Sequence, residues 1–155
     1  MKNKLLKILE YLLVGLVALM TIDVIWQVAS RYLLGSPSNF TDELAGFLLI
    51  WVGLFGAAYA TGKDVHVSLD ILPASLGRRK RFYLHIVAQM MVALFALSVM
   101  VIGGIHLVYL TFLLEQKSAS LQIPLGYVYA SIPICGLFII YFSVHSAITY
   151  KMEVS

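Results

Sequence analysis

Four long runs of apolar residues, separated by polar and charged stretches, form the main pattern along the chain. They cover about residues 8–34, 41–62, 82–114 and 125–150. A helix needs about 20 mostly apolar residues to cross a bilayer, and only helices or closed barrels satisfy their backbone hydrogen bonds there. Because the runs are continuous rather than alternating, they predict an all-α membrane protein. We expect four transmembrane helices in one membrane domain, residues 1–155.

The composition supports lipid as the solvent of this chain. Of the 155 residues, 61% are hydrophobic and only 12% are charged, too few to cover a soluble domain of this size. The first run is also longer than the roughly 7–15 apolar residues of a signal peptide, so we expect it to remain as a helix. No basic face with base-reading groups is present, so no nucleic acid partner is expected.

The basic residues are unevenly divided between the two predicted sides of the membrane. One side has only Arg31 and Lys117 among the 11 lysines and arginines. Cytoplasmic loops carry the excess of positive charge, so both termini are predicted to lie in the cytoplasm. The other nine are Lys2, Lys4, Lys7, Lys63, Arg78, Arg79, Lys80, Arg81 and Lys151.

The loop between the second and third runs combines apolar residues with a basic cluster. Residues 69–76 predict a short segment lying in the membrane interface, and Arg78, Arg79, Lys80 and Arg81 would then meet anionic lipid headgroups. A solvated loop whose charges serve only as a topology signal is equally consistent with this pattern.

Polar residues interrupt the first run at a spacing of four. Asp23, Gln27 and Arg31 therefore lie on one face of the predicted helix, and Arg31 could pair with an acid across the short connection. Charges within a span usually face protein or water, so we expect Asp23 to make an inward polar contact. Asp42 and Glu43 could instead stabilise the first turn of the second helix through its dipole.

Small and helix-breaking residues predict how the spans pack. Gly46, Gly53, Ala57 and Ala60 form a narrow stripe on the second helix, which indicates close packing against another helix of this chain or of a partner. The third run is longer than a bilayer requires, and it would break at Gly103 and Gly104 if it breaks at all.

Proline residues mark the beginning and the bend of the fourth span. Pro124 precedes the fourth run, where a missing N–H costs little, and Pro133 should kink the helix near Tyr129. The single cysteine, Cys135, is interpreted as an apolar packing residue.

The residues offer little support for catalysis, so we expect the chain not to be an enzyme. No metal-ligand cluster, phosphate-binding loop or nucleophile with a neighbouring base is evident. His85 and His145 are both predicted near the cytoplasmic side, so a haem between two helices is conceivable.

Several short motifs follow one another along the chain in a fixed order. They are Arg31-Tyr32, Thr41-Asp42-Glu43-Leu44, Gly56-Ala57-Ala58-Tyr59-Ala60, His66-Val67 with Asp70, and Leu121-Gln122-Ile123-Pro124 before the helix containing Pro133. In this order they resemble the small membrane subunit of tripartite ATP-independent periplasmic (TRAP) transporters. The likeness covers nearly the whole chain, although Phe40 stands where the family often has Trp and Asp42 where it often has Glu.

This resemblance implies a scaffold subunit of a sodium-driven secondary transporter in the bacterial inner membrane. The transporter would import an organic acid, a carboxylate or a sugar acid, delivered by a periplasmic binding protein. Substrate and sodium sites would lie on a large multi-span subunit, which this chain would bind and brace without a cofactor of its own. The substrate itself is not named by the sequence.

The resemblance also bears on individual residues. Arg31, Asp42 and Glu43 match the family pattern and would fix the outer hairpin, while His66 and Asp70 match it without an assigned role. Two alternatives remain open. One is an autonomous small proton-coupled carrier using Asp23, and the other is a haem-binding redox subunit using His85 and His145.

Overall fold

The computed structural model describes residues 2–33, 39–63 and 78–154, with side chains described for 2–33, 39–63 and 83–149. The described residues are almost entirely helical, as the continuous apolar runs predict. The elements are α1 (Lys2–Leu33), α2 (Asn39–Gly62), α3 (Arg78–Phe95), a π-helical segment (Ala96–Gly103), α4 (Gly104–Leu113), α5 (Leu125–Tyr129) and α6 (Ser131–Val154).

Among the described residues, four helical stretches are long and apolar enough to cross a membrane. They are Lys2–Leu33, Asn39–Gly62, Tyr83–Leu113 and Leu125–Thr149, so the predicted four-span architecture is confirmed. The helix that contains the first span begins at Lys2, before the predicted start of the span near Ile8.

The fourth span is the centre of the bundle. Helix α6 contacts α2, α3 and the π-helical segment, while α1 packs against α2 as the outer arm of a hairpin. Cys135 is fully buried in the resulting core, which confirms its interpretation as a packing residue. The buried apolar cluster comprises Leu6, Leu9, Phe55, Ala58, Ala96, Met100, Cys135, Ile139 and Phe142.

The amino-terminal end of α1 and the carboxyl-terminal end of α2 lie together against α6. A Cβ atom added at Gly62 would be 2.6 Å from Leu6 Cδ2 and 3.1 Å from Phe142 Cδ2. We call this the terminal end of the bundle. The opposite end, where α1 meets α2 and residues 114–124 join α4 to α5, is called the hairpin end.

The third span does not break at Gly103 and Gly104. Both glycines keep right-handed helical dihedral angles, and the chain returns from π-helical to α-helical hydrogen bonding between them. The glycine at 104 instead permits close packing, since an added Cβ atom would lie 3.0 Å from Pro133 Cδ. The run stays helical from Tyr83 to Leu113 and ends in a turn after Leu113.

The helix of the fourth span is interrupted at Ala130, next to the position where its proline predicts a kink. Pro124 precedes α5, and Ala130 separates α5 from α6. Pro133 has no N–H to donate to the carbonyl of Tyr129, four residues earlier, so regular helical bonding cannot continue through this point. Beside this interruption, the Ser131 hydroxyl donates to the Val128 carbonyl at 2.8 Å.

Candidate functional site

A compact loop at the hairpin end connects the third and fourth spans. The Ser118 N–H donates to the Ile123 carbonyl at 2.9 Å, and the Leu125 N–H donates to the Gln116 carbonyl at 3.0 Å. Glu115 and Gln122 have positive φ angles of 47° and 55°, which let the chain reverse twice within a few residues. The loop therefore has a defined shape, held by its own backbone.

Glu43 on α2 is the side chain that fastens this loop to the bundle. Its Oε1 accepts a hydrogen bond from the Ala119 N–H at 3.0 Å. Its Oε2 accepts from the Ser120 N–H at 2.8 Å and from the Leu121 N–H at 3.1 Å. Three consecutive amides thus converge on one carboxylate, and Ser118 Oγ accepts a further bond from the Leu121 N–H at 3.2 Å. We call this arrangement the Glu43 clamp.

The neighbouring acid, Asp42, is bound from the other arm of the hairpin. The Gln27 Nε2 group donates to Asp42 Oδ1 at 2.7 Å and so joins α1 to α2. At the terminal end the same two helices meet again, where the Tyr59 hydroxyl donates to Glu10 Oε2 at 3.4 Å. Polar contacts therefore fix the register of the hairpin at both of its ends.

The expected ion pair of Arg31 with Asp42 or Glu43 is wrong. Arg31 is exposed and forms no salt bridge within the described part of the chain. The reason is geometric, since Gln27 already occupies Asp42 and Glu43 is turned into the loop. The sequence thus identified the correct corner of the molecule but assigned the contact across it to the wrong residue of the first helix.

Asp23 faces inward, as predicted, but its carboxylate is not fully satisfied. The residue is 7% exposed, and its Oδ2 atom is buried without a hydrogen-bond partner among the described residues. Gln27, one turn further along α1, contacts Asp42 instead. The arrangement places Asp23 within the α1–α2 interface and links it to no polar network in the described residues.

The small-residue stripe of α2 faces away from the core of the bundle. Gly46 and Gly53 are exposed, and a Cβ atom added at either would meet no atom within 4 Å. The buried side of the same helix carries Leu48 and Phe55, roughly half a turn around the axis. Packing within this chain therefore does not explain the two glycines. Ala57 and Ala60 are half-buried at the margin of the stripe.

The two histidines of the haem hypothesis have separate protein neighbours. His85 is buried, and its Nε2 lies 3.4 Å from Ser146 Oγ, which also accepts a bond from Gln89 Nε2 at 3.3 Å. His145 stacks on Tyr141 with ring centroids 6.1 Å apart. This geometry gives the haem hypothesis no support and instead shows a buried polar contact between α3 and α6.

The basic loop is only partly described. Arg78, Arg79, Lys80 and Arg81 belong to the first turn of α3, and their side chains are outside the described set, as are His66, Asp70 and the predicted interfacial segment at 69–76. Binding of headgroups by the four basic residues stays a prediction.

The Glu43 clamp is the feature that sequence reasoning missed. Thr41-Asp42-Glu43 suggested a helix amino terminus, where an acid faces solvent or its own helix dipole. One signal was available, because residues 115–124 are a polar connection predicted at the same membrane side as Glu43. That signal places the two features at one end of the molecule but does not specify that three amides point at the carboxylate.

Comparison with known proteins identifies the family of this bundle. The family described as "Tripartite ATP-independent periplasmic transporters, DctQ component" matches residues 20–150. The chain therefore belongs to the DctQ component family of these transporters. The resemblance drawn from its motifs is confirmed. The match includes the second half of the first span, the other three spans and the Glu43 clamp.

Individual relatives agree with this assignment. The sialic acid TRAP transporter small permease protein SiaQ of Vibrio cholerae is 26% identical over 137 residues, covering 85% of this chain and 75% of SiaQ. The C4-dicarboxylate TRAP transporter small permease protein DctQ of Rhodobacter capsulatus is 29% identical over 94 residues, covering 61% of this chain and 41% of DctQ.

A longer relative carries a similar segment within a larger chain. The sialic acid TRAP transporter permease protein SiaT of Haemophilus influenzae is 32% identical over 66 residues, which cover 43% of this chain but only 11% of SiaT.

Proposed function

We propose that this chain is a scaffold subunit that binds and braces a large multi-span transport subunit. The single observation that carries the proposal is that the polar residues of the hairpin are bonded to other groups of this chain. Glu43 accepts three backbone amides, and Asp42 accepts the Gln27 amide group. These groups fix the shape of the protein, whereas a carrier needs polar groups that exchange partners as the solute binds and leaves.

The relatives support a partner of this kind. SiaT contains a segment similar to this chain within a far longer permease, so a small-subunit-like segment and a larger membrane part occur in one polypeptide there. By analogy, this chain would assemble with a separate large subunit. We propose the exposed small-residue stripe of α2 as one surface of that contact, because Gly46 and Gly53 let another helix approach closely.

The substrate class follows from the relatives by analogy. SiaQ is named for sialic acid and DctQ of Rhodobacter capsulatus for C4-dicarboxylates, and both compounds are organic acids. We propose that the complex imports an organic acid with sodium, that a periplasmic binding protein delivers it, and that substrate and sodium bind on the large subunit. This chain would then need no cofactor.

The orientation proposed for this complex rests on charge. Nine of the 11 lysines and arginines belong to the side that carries both termini. Positive charge is enriched on the cytoplasmic side of a membrane, so the terminal end is proposed to face the cytoplasm from a bacterial inner membrane. The hairpin end, with the Glu43 clamp, would then face the periplasm and the binding protein.

Reconstitution of the whole transporter tests this proposal. Liposomes would contain the large subunit with or without this chain, and the binding protein and a radiolabelled organic acid would be supplied outside. We expect uptake only when both membrane subunits are present and sodium is more concentrated outside. Replacing sodium by potassium should abolish uptake. Uptake by this chain alone would overturn the scaffold role and return attention to Asp23.

A further inference from the structure

Four polar residues are buried where α3 packs against α6, near the terminal end of the bundle. His85 and Gln89 lie one turn apart on α3, and Ser143 and Ser146 lie about one turn apart on α6. All four side chains are more than nine-tenths buried. Buried polar groups are costly in a membrane protein unless each finds a hydrogen-bond partner. The contacts of these four residues therefore decide what the cluster can bind.

Ser146 joins the two residues of α3. Its Oγ accepts a hydrogen bond from Gln89 Nε2 at 3.3 Å and lies 3.4 Å from His85 Nε2. Two other atoms of the cluster, Gln89 Oε1 and Ser143 Oγ, have no hydrogen-bond partner in the described part of the chain. Gln89 is 2% exposed and Ser143 is 1% exposed, so neither atom can turn to solvent outside the bundle. The cluster thus contains two buried polar groups that its own side chains do not satisfy.

The packing of α6 on the third span brings these two groups to the same level. Gly136 faces the third span, where an added Cβ atom would lie 2.9 Å from Met100 Cβ, and Ser143 follows seven residues later on the same face. Further along α6, Ser146 contacts the earlier residue Gln89, so the two spans run in opposite directions. Three residues of helix rise by about 4.5 Å. Ser143 therefore lies within one turn of the level of Gln89.

The Ser143 hydroxyl differs from other buried hydroxyls of this chain. Thr61 and Thr111 each donate to the carbonyl four residues earlier in their own helix, at 2.9 Å and 2.7 Å. Ser143 makes no such bond, and no hydrogen bond joins it directly to Gln89. Neither α3 nor the described side chains of α6 include a carboxylate that would favour a cation. A small neutral molecule that both donates and accepts hydrogen bonds matches the two groups.

We propose that one water molecule binds between Gln89 and Ser143, donating to Gln89 Oε1 and sharing a hydrogen bond with Ser143 Oγ. If the amide is turned the other way, water accepts from its Nε2 group instead, so either orientation forms the bridge. Buried water molecules in proteins typically make about two to four such bonds. The bridge extends the contacts of Ser146 into one network between α3 and α6. The site is formed by this chain alone and does not depend on the transport proposal.

A structure of the full protein, with any subunit that accompanies it, tests the site at a resolution that shows ordered water. We expect one oxygen peak within about 3 Å of both the Gln89 amide and Ser143 Oγ. The peak should be absent in Gln89→Leu, which keeps a similar volume but removes the polar group. A direct hydrogen bond between the two side chains, or a Ser143 hydroxyl bonded to the Ile139 carbonyl, would overturn the proposal.

Chemical unfolding in detergent tests the same bridge through free energies. Gln89→Leu and Ser143→Ala would be measured singly and together. Because the water links the two residues, their combined effect on the unfolding equilibrium constant should differ about fivefold from the product of the separate effects. Ser98→Ala is the matched control, since Ser98 is an exposed serine of the same span whose hydroxyl donates to the Leu94 carbonyl at 2.8 Å. Its effect should multiply with that of Gln89→Leu, whereas the same independence for Ser143→Ala would contradict the bridge.

Discussion

Glu43 shows how much structure one side chain can specify at the scale of single residues. Both carboxylate oxygens are needed, because Oε1 serves Ala119 while Oε2 serves Ser120 and Leu121. An amide at this position would offer only one acceptor oxygen and would place an N–H group against a backbone N–H. An aspartate would be one methylene too short. The loop therefore depends on a glutamate in particular.

Replacing Glu43 with alanine should loosen the loop while the bundle remains folded. The amides of Ala119 and Ser120 would lose their acceptor, and hydrogen exchange at these two positions should become several-fold faster. Leu121 should change less, because its N–H also donates to Ser118 Oγ. Exchange measured by mass spectrometry on the purified protein checks this. Lys117→Ala is the control, since the Lys117 side chain is exposed in the same loop and its removal should leave exchange unchanged.

Asp23 is the opposite case, a buried carboxylate whose Oδ2 atom has no partner in the described residues. Removing an unsatisfied buried polar group relieves a cost of about 1–3 kcal/mol. We therefore expect Asp23→Leu to raise the thermal unfolding temperature and Asp23→Asn to support transport in the reconstituted complex. A lower unfolding temperature in Asp23→Leu would reveal a contact that stabilises the carboxylate. Loss of transport in Asp23→Asn would favour the proton-coupled carrier.

At the scale of helices, packing depends on which glycines touch a neighbouring helix and which face open space. Gly136 on α6 faces the π-helical segment, and an added Cβ atom would lie 2.9 Å from Met100 Cβ and 3.0 Å from Val101 Cγ2. Gly53 on α2 faces open space. Both residues look alike in the sequence, because each is a single glycine within an apolar run.

The two glycines should therefore respond differently to the same substitution. Gly136→Ala should destabilise the protein by about 1–3 kcal/mol, because the third and fourth spans must move apart. Gly53→Ala should be neutral, or stabilising by up to about 1 kcal/mol, since alanine favours the helix. Chemical unfolding of the two variants in detergent compares them directly. Equal destabilisation would contradict the close approach of α6 to the third span.

Helix boundaries and bends were predictable where a residue forces them. Pro124 and Pro133 mark the start and the interruption of the fourth span because proline lacks an N–H. The π-helical segment at Ala96–Gly103 was not predictable in this way. Its apolar residues suit an α-helix equally well, and its contact with α6 at Gly136 involves residues far apart in the sequence.

At the scale of the whole molecule, the number of spans was predictable. Composition and the length of the apolar runs specify four spans without knowledge of contacts between residues. The polar corner at the hairpin end was harder to predict. Arg31, Gln27, Asp42 and Glu43 were recognised as a group, but opposite charge favoured the wrong pairing, since Gln27 rather than Arg31 reaches Asp42. Rotamer choice within a short hairpin decides that pairing, and spacing along the sequence does not determine it.

Affinity purification of this chain from its native membrane tests the central claim most directly. The tagged chain would be extracted in mild detergent, and native mass spectrometry would determine the mass and stoichiometry of what accompanies it. The account predicts one copy of a much larger multi-span membrane protein for each copy of this chain. Recovery of the chain alone, or as a homodimer that moves a solute in liposomes, would contradict the account.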